Sequence, residues 1–294
     1  MKKGHTGRGN MMFRKQVLIG RFSWKRMILA AVFIYLAVML ALYFLGNSLL
    51  FPAPAPGYEL KEPFFRISVD NNEHISALYF ENRDADFTIL YSHGNAEDLG
   101  HIRPLLEQYR HHGYAVLAYD YRGYGHSSGS PSEHKSYADI EAAYKYLRNE
   151  IGTSPDRIIA LGRSVGGGPT LHLATKHPVQ AIILESTFVS ASRVLTRIPL
   201  FPLDRFRNLA KTRKLEVPAL FIHGTSDQII PWWHGKKLYH AVPSKTKSHF
   251  WVKDAGHNDL LSVAGQAYWH QLEAFTANLP QSPTPARDTA AEVE

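Results

Sequence analysis

Three residues far apart along the chain, Ser164, Asp227 and His257, are of the types that together build a nucleophilic relay. Ser164 stands in Gly162-Arg163-Ser164-Val165-Gly166, after the apolar run Ile158–Leu161 and before a helical pattern. A strand turning into a helix through glycines is the setting that a nucleophile elbow requires. At so sharp a turn the serine is forced into a strained backbone conformation, and its neighbours two residues away come too close for side chains. A hydroxyl is a weak nucleophile at neutral pH, so a base must take its proton. His257, in "DAGHNDL", can do so, and Asp227, in "HGTSDQIIP", can hold the imidazole in the right tautomer. The negative charge that attack places on a carbonyl oxygen needs donors. The N–H of Val165 at the start of the helix is expected to be one. The N–H of Asn95, in "HGNAED", is expected to be the other. Each such donor lowers a barrier by about 3 kcal/mol.

Residues so scattered must be brought together by the elements around them. Apolar runs of strand length occupy 64–70, 75–81, 87–93, 114–120, 157–162, 180–186, 218–224 and 248–254. The first two are close and alternate, as in an antiparallel hairpin; the later ones are continuously apolar, as in strands buried on both faces. Helical stretches separate them. The clearest, from Ser130 to Gly152, has Ser130 as cap, Pro131 at the first helical position, Glu133 to complete a capping box and Gly152 at its end. Alternating strand and helix predicts a mostly parallel sheet, whose ligands lie beyond the carboxyl ends of the strands. The three relay residues all fall there. Other polar residues at those positions read as structural. His93 is expected to brace the loop holding Asn95, Asp120 to pair with Arg122 across a glycine-rich turn, and Glu185 to be at most an alternative acid. Asp254 and Asp259 lie too near His257 in sequence to reach the far side of its ring. His111 and His112 read as solvated, and the 16 histidines show no metal spacing, so no metal or cofactor is expected. Residues 188–214 admit two readings. They could be a pair of small helices on the body, or a lid whose Ile198, Leu200, Phe201, Leu203 and Phe206 line an acyl pocket. Trp232 and Trp233 could join that pocket or face a membrane.

Taken together, Gly-Arg-Ser-Val-Gly-Gly, "SHGNAEDL", "YDYRGYGHSSGSPSE", "HGTSDQIIP" and "AGHND" resemble the α/β-hydrolase superfamily. They look most like its membrane-anchored Bem46/YfhR-like branch, which is related to the ABHD17-type depalmitoylases. The resemblance covers roughly residues 60–278. It implies an α/β-hydrolase fold with an eight-stranded, mostly parallel sheet, and a serine hydrolase with Ser164, Asp227 and His257 as triad. It implies no particular substrate. One departure is plain: those depalmitoylases anchor through an N-terminal cysteine cluster, and this chain has no cysteine.

It has a hydrophobic segment in that place. Met27–Leu45 carries no charge, and at helical rise these residues span about 28 Å, close to the thickness of a bilayer core. Residues 1–26 hold eight Lys and Arg and no acid. Taking these eight from the 33 basic residues leaves 25 against 26 acidic ones, so the net +7 belongs to the flank and a nucleic-acid patch is not supported. By the positive-inside rule the N-terminus is expected in the cytoplasm and the body outside, in the periplasm if the host is a bacterium. The expected order is a basic segment 1–26, an anchor 27–45, a Pro-rich linker 46–58, a hydrolase domain 59–279 and a disordered tail 280–294. The leading function is a membrane-tethered serine hydrolase acting on an ester or thioester of acyl type. A peptidase on the same triad, or a catalytically silent binding module, are the alternatives.

Overall fold

The computed structural model describes residues 23–199, 201 and 204–280, with the side chain of Asn71 left aside. The basic segment up to residue 22, Leu200, Leu203 and the tail from 281 lie outside the described residues. Two compact units divide the chain, Met1–Leu45 and Gly46–Glu294. In the first, the described residues form most of one long helix, α1 (Trp24–Leu50), whose apolar side chains are exposed along its length. By length and composition this helix could cross a membrane.

The second unit is built on one eight-stranded sheet in the order β1-β2-β4-β3-β5-β6-β7-β8. The strands are β1 (Phe64–Ser68), β2 (His74–Phe80), β3 (Thr88–Ser92), β4 (Ala115–Tyr119), β5 (Ile158–Arg163), β6 (Ala181–Glu185), β7 (Ala219–Gly224) and β8 (Lys247–Val252). β1 and β2 form the expected hairpin and β2 runs antiparallel to β4, whereas every pairing from β4 to β8 is parallel. Each continuously apolar run thus has two faces to bury, and its period of two divides it between two cores. Leu90, Ile158, Ala160 and Ile182 enter one core, with Ile140, Ala143 and Leu147 of α3 (Glu133–Asn149) and Leu171 of α4 (Gly167–Lys176). Ile89, Ile159, Leu161 and Ile183 enter the other, with Ile102, Leu106 and Tyr109 of α2 (Leu99–His111) and with Trp269 and Leu272 from near the C-terminus.

The remaining helices are short: α5 (Asn208–Thr212), α6 (Trp233–Ala241), α7 (Leu260–Ala264) and α8 (Gln266–Ala277). β3 lies between β4 and β5, so the connection after β3 runs one way, to β4, and the connection after β5 runs the other, to β6. The carboxyl ends of β3 and β5 therefore border the crevice where ligands bind in such sheets.

Several local expectations are corrected. The cap of α3 is Ser132, whose side chain accepts from the N–H of Lys135, and not Ser130. Pro131 lies before the helix with its ring close to Gly123, where an added Cβ would stand 2.6 Å from the proline Cδ. No capping box forms: Glu133 Oε1 accepts instead from the Tyr137 hydroxyl at 2.6 Å and the N–H of Phe206 at 2.8 Å. The helix ends at Asn149, and Gly152 turns the chain three residues later at φ +78.

Asp120 does not pair with Arg122. It accepts from Tyr58 and from the N–H of Leu99, while Arg122 reaches Asp139 and Glu73. His112 is not merely solvated; it stacks on Trp269 with ring centroids 4.1 Å apart. Among the described residues of segment 188–214 are one turn of 3-10 helix, Ser192–Val194, and the five-residue α5. Of its apolar residues, Ile198 is exposed, Phe201 is half-buried and Phe206 is fully buried against Phe51, Tyr137 and Phe188. Trp232 packs edge-on against Trp251, and Trp233 stacks on His234.

Candidate active site

Ser164 follows the last residue of β5 and has φ +54, a conformation an L-residue adopts only under constraint. The three glycines after it admit three different neighbours. A Cβ on Gly166 would stand 2.1 Å from the carbonyl oxygen of Ser92, one on Gly167 would meet the Thr187 side chain, and one on Gly168 would meet the Phe206 ring. On the strand side, a Cβ on Gly162 would stand 2.4 Å from the Gly166 carbonyl oxygen. The glycines around Ser164 thus let the turn close against β3 and the loop after β6. Thr187 adds to this by donating its hydroxyl to the Ser164 carbonyl at 2.8 Å.

The three residues expected to meet do so. His257 Nε2 lies 3.2 Å from Ser164 Oγ, and its Nδ1 lies 2.7 Å from Asp227 Oδ2. An ionised carboxylate only accepts, so Nδ1 carries the proton and Nε2 is free to receive one from the serine. Asp227 Oδ1 is occupied separately, accepting from the N–H groups of Ile229 at 2.9 Å and Ile230 at 2.7 Å. Burial would raise the Asp227 pKa, but hydrogen bonds from His223 and His257, the charge of His257 and the Ile230 N–H outweigh it and hold the carboxyl well below its usual value. The loops carrying the two groups are fastened to each other. Thr225 N–H donates to the Val252 carbonyl, and Ser226 N–H to the Ala255 carbonyl, both at 2.9 Å. Asp259 accepts from the Gly256 N–H within its own loop, as its nearness in sequence to His257 requires.

The Asn95 loop is braced by His93, which is fully buried. Its Nδ1 donates to the Gly94 carbonyl at 2.6 Å, and its own carbonyl accepts from Tyr121. Nε2 stands 3.3 Å from Asp120 Oδ1, near enough for ionic attraction although not aligned as a hydrogen bond. Burial lowers the His93 pKa, but Asp120 and the Gly94 carbonyl outweigh it and the net shift is upward. Asn95 itself is exposed on the loop after β3, and Val165 follows Ser164 in the turn that leads into α4.

Two polar residues at the site escaped the sequence reading. Arg163 was passed over as the variable residue of the elbow. Its guanidinium reaches Glu97, Glu185, the His257 carbonyl and the Asn258 side chain. Glu185, considered above as a possible acid, is taken up by Arg163 and by the Tyr268 hydroxyl. His223 sits inside β7, donating from Nε2 to the Ile230 carbonyl at 2.8 Å and standing 3.3 Å from Asp227 Oδ2. The signal for both was a charged or imidazole side chain inside an otherwise apolar strand, a few residues or fewer from a candidate group.

Comparison with known proteins agrees with this architecture. Residues 83–211 match the family model described as "Serine aminopeptidase, S33". The alpha/beta hydrolase domain-containing protein aho-3 of Caenorhabditis elegans is 38% identical over 200 residues, 65% of this chain and 58% of that protein. Domain-containing protein 17C of Xenopus tropicalis is 40% identical over 201 residues, 67% of this chain and 64% of that one. This chain therefore spans only about three fifths of the length of these two relatives. The human 17B protein is 38% identical over 202 residues, covering 66% of this chain and 67% of that one. Among solved structures, an esterase of Pyrococcus furiosus superposes with a TM-score of 0.65 at 21% identity, covering 78% of this chain and 98% of its own. The esterase RhEst1 of Rhodococcus does so at 0.59 and 16% identity, covering 74% and 99%. Those two share the fold. The human protein is similar in sequence over most of its own length as well, and on that ground the chain belongs to the α/β-hydrolase family.

Proposed function

We propose that this protein is a serine hydrolase that cleaves an ester or thioester of acyl type through an acyl-enzyme. One observation carries the reading: a serine held at φ +54 at a strand end, within 3.2 Å of an imidazole whose other nitrogen meets a buried carboxylate. Ser164 Oγ attacks the carbonyl carbon while its proton passes to His257 Nε2. The N–H groups of Val165 and Asn95 receive the charge that forms on the carbonyl oxygen. Collapse of the tetrahedral species expels an alcohol or thiol, which leaves with the proton from Nε2. Water then repeats the sequence on the acyl-enzyme, giving a carboxylic acid and restoring the serine. Asp227 keeps Nδ1 protonated throughout and stabilises the imidazolium, without itself taking the proton.

The acyl assignment is supported by the apolar helix over Met27–Leu45, which as a bilayer anchor would keep the body beside lipid. It is also supported by the solved relatives named as esterases. The apolar helix favours the Bem46/YfhR-like branch, and the eight basic residues that precede it favour the N-terminus in the cytoplasm and the body on the outer side.

A second reading, a peptidase, is favoured by the description of the matching family model. Against it, a carboxylate that could bind a peptide's terminal ammonium must be free. Glu97, on the loop after β3, and Glu185, at the end of β6, are both engaged by Arg163.

A fluorophosphonate probe is expected to label the protein at Ser164, and Ser164→Ala to abolish labelling. Unchanged labelling in that variant would refute the nucleophile. A panel of acyl esters against aminoacyl amides decides between the two hydrolase readings, with faster amide cleavage favouring the peptidase. A reporter active only outside the cytoplasm, fused at the C-terminus, tests the topology.

A further inference from the structure

Arg163 sits between the last glycine of β5 and the nucleophile, and its side chain is only 12% exposed. A cation so placed must find partners, and this one finds four, on two loops and at the end of β6. NH1 pairs with Glu97 Oε1, and Nε lies 3.3 Å from Glu185 Oε1. NH2 donates to the His257 carbonyl at 3.2 Å and to Asn258 Oδ1 at 3.1 Å. Burial would make the cation easier to discharge, but the charges of Glu97, Tyr91 and Glu185 outweigh it and shift its pKa upward.

Glu97 extends the connection. Its other oxygen, Oε2, accepts from the Gly94 N–H at 3.1 Å, which holds the His93–Gly94 peptide, the unit just before the one that carries the Asn95 N–H. One guanidinium thus ties the backbone of the base, His257, to the loop of a proposed oxyanion donor. Both are fixed relative to the serine, its immediate neighbour in sequence. The planar fork is what makes this possible, because its donors leave in fixed directions, whereas an ammonium is a single point of charge. All three guanidinium nitrogens are engaged by protein groups and no contact with Ser164 Oγ or the His257 ring is formed, so a substrate clamp is not its role.

We propose that Arg163 is a positioning residue for hydrolysis, setting the His257 imidazole and the loop that carries Gly94 and Asn95 in register with Ser164 through the His257 carbonyl and Glu97. This rests on the serine hydrolase reading above. A misplacement of about 1 Å at such a site is enough to cost on the order of a hundredfold in rate.

The test uses the full chain in detergent micelles, with kcat and KM for a short-chain p-nitrophenyl ester. Rates are divided by the number of sites that a fluorophosphonate can titrate, so that loss of folded protein does not count. Arg163→Met is expected to lose at least tenfold in kcat per titrated site, with KM within threefold of wild type. A smaller loss in kcat, or a loss carried by KM, overturns the proposal. Arg163→Lys is expected to remain at least fivefold below wild type, since one ammonium cannot serve all these partners; full recovery would mean that charge alone suffices and overturn the role of the fork.

If Arg163→Met does not fold, Glu97→Gln and Asn258→Ala decide, because each leaves Arg163 on Glu185. A loss of threefold or more in kcat per site in either supports the proposal, and smaller losses in both overturn it. Failure of the parent reading looks different: the wild type itself would not be labelled at Ser164.

Discussion

Replacing Asp227 with asparagine tests the relay through a single atom. Asp227 Oδ1 accepts from two backbone N–H groups, Ile229 at 2.9 Å and Ile230 at 2.7 Å. An amide that kept those bonds would have to place its oxygen there, because an NH2 group in that position would face two donors. Its NH2 would then occupy the place of Oδ2, 2.7 Å from His257 Nδ1. Facing a donor, the imidazole must present the Nδ1 lone pair and carry its proton on Nε2, pointing at Ser164 Oγ. In that tautomer it cannot accept the serine proton. Where the same exchange has been made in a serine protease triad, kcat fell about 10⁴-fold, equivalent to roughly 5.5 kcal/mol of barrier. A loss of that order is expected for Asp227→Asn, measured as kcat per titrated site at neutral pH, with the fold checked by thermal melting. A fall of less than tenfold in a folded variant would refute the tautomer argument. It would also show that the backbone donors do not dictate the orientation of the amide.

Three further outcomes follow from the same structure. Gly166→Ala would place a Cβ 2.1 Å from the Ser92 carbonyl oxygen and is expected to abolish probe labelling, whereas Gly113→Ala, at φ +91 with open space around it, is expected to cost only about 1 kcal/mol in denaturant unfolding. Asp227 has a folded pKa below its unfolded one, so its stabilisation is complete above the ordinary carboxyl range near pH 4 and fades as pH falls through the folded value. The melting-temperature difference between wild type and Asp227→Asn is expected to shrink as pH falls below about 4. Burial lowers the Lys211 pKa to about 8 from 10.5, so between those values the unfolded chain binds the extra proton and stability from this group rises with pH. Wild type is therefore expected to gain melting temperature relative to Lys211→Met as pH goes from 8 to 10; a difference independent of pH would refute the shift.

What could be read from the sequence was what depends on local pattern. Each of the eight apolar runs became a strand, displaced by a residue or two at the ends. Burial on both faces leaves nothing else for the inner runs to do in this fold, whereas β1 and β8, at the sheet edges, are only partly buried. Ser164, Asp227 and His257 were found because each follows a strand, and a parallel sheet brings all its carboxyl ends to one side. The α3 cap differs because Pro131 could start a helix as far as local rules go, while in the fold its ring lies close to Gly123 and Ser132 caps the helix instead. Glu133 had the right spacing for a capping box but found a better use holding the backbone of Phe206, 73 residues away.

The residues that align the candidate site were invisible for a further reason, which concerns register. Asp120 and Arg122 are two residues apart, yet their side chains go to different partners. Asp120 turns to Tyr58 and the N–H of Leu99, and Arg122 to Asp139 and Glu73. No local rule separates them; the partners come from a segment ahead of the sheet, from the β1–β2 turn and from two different helices. Arg163 is the sharper case. Parallel pairing sets it opposite Glu185 at the ends of β5 and β6, and sets Ser92 of β3 opposite Gly162, the residue just before it. These registers carry Glu97 and Glu185 to opposite sides of one guanidinium. Slide either neighbour by one residue and every side chain at that end changes face. The triad tolerates being read as a pattern because its members need only lie at strand ends. The charge that aligns them depends on which residue lies opposite which, and so becomes legible only when the sheet is assembled.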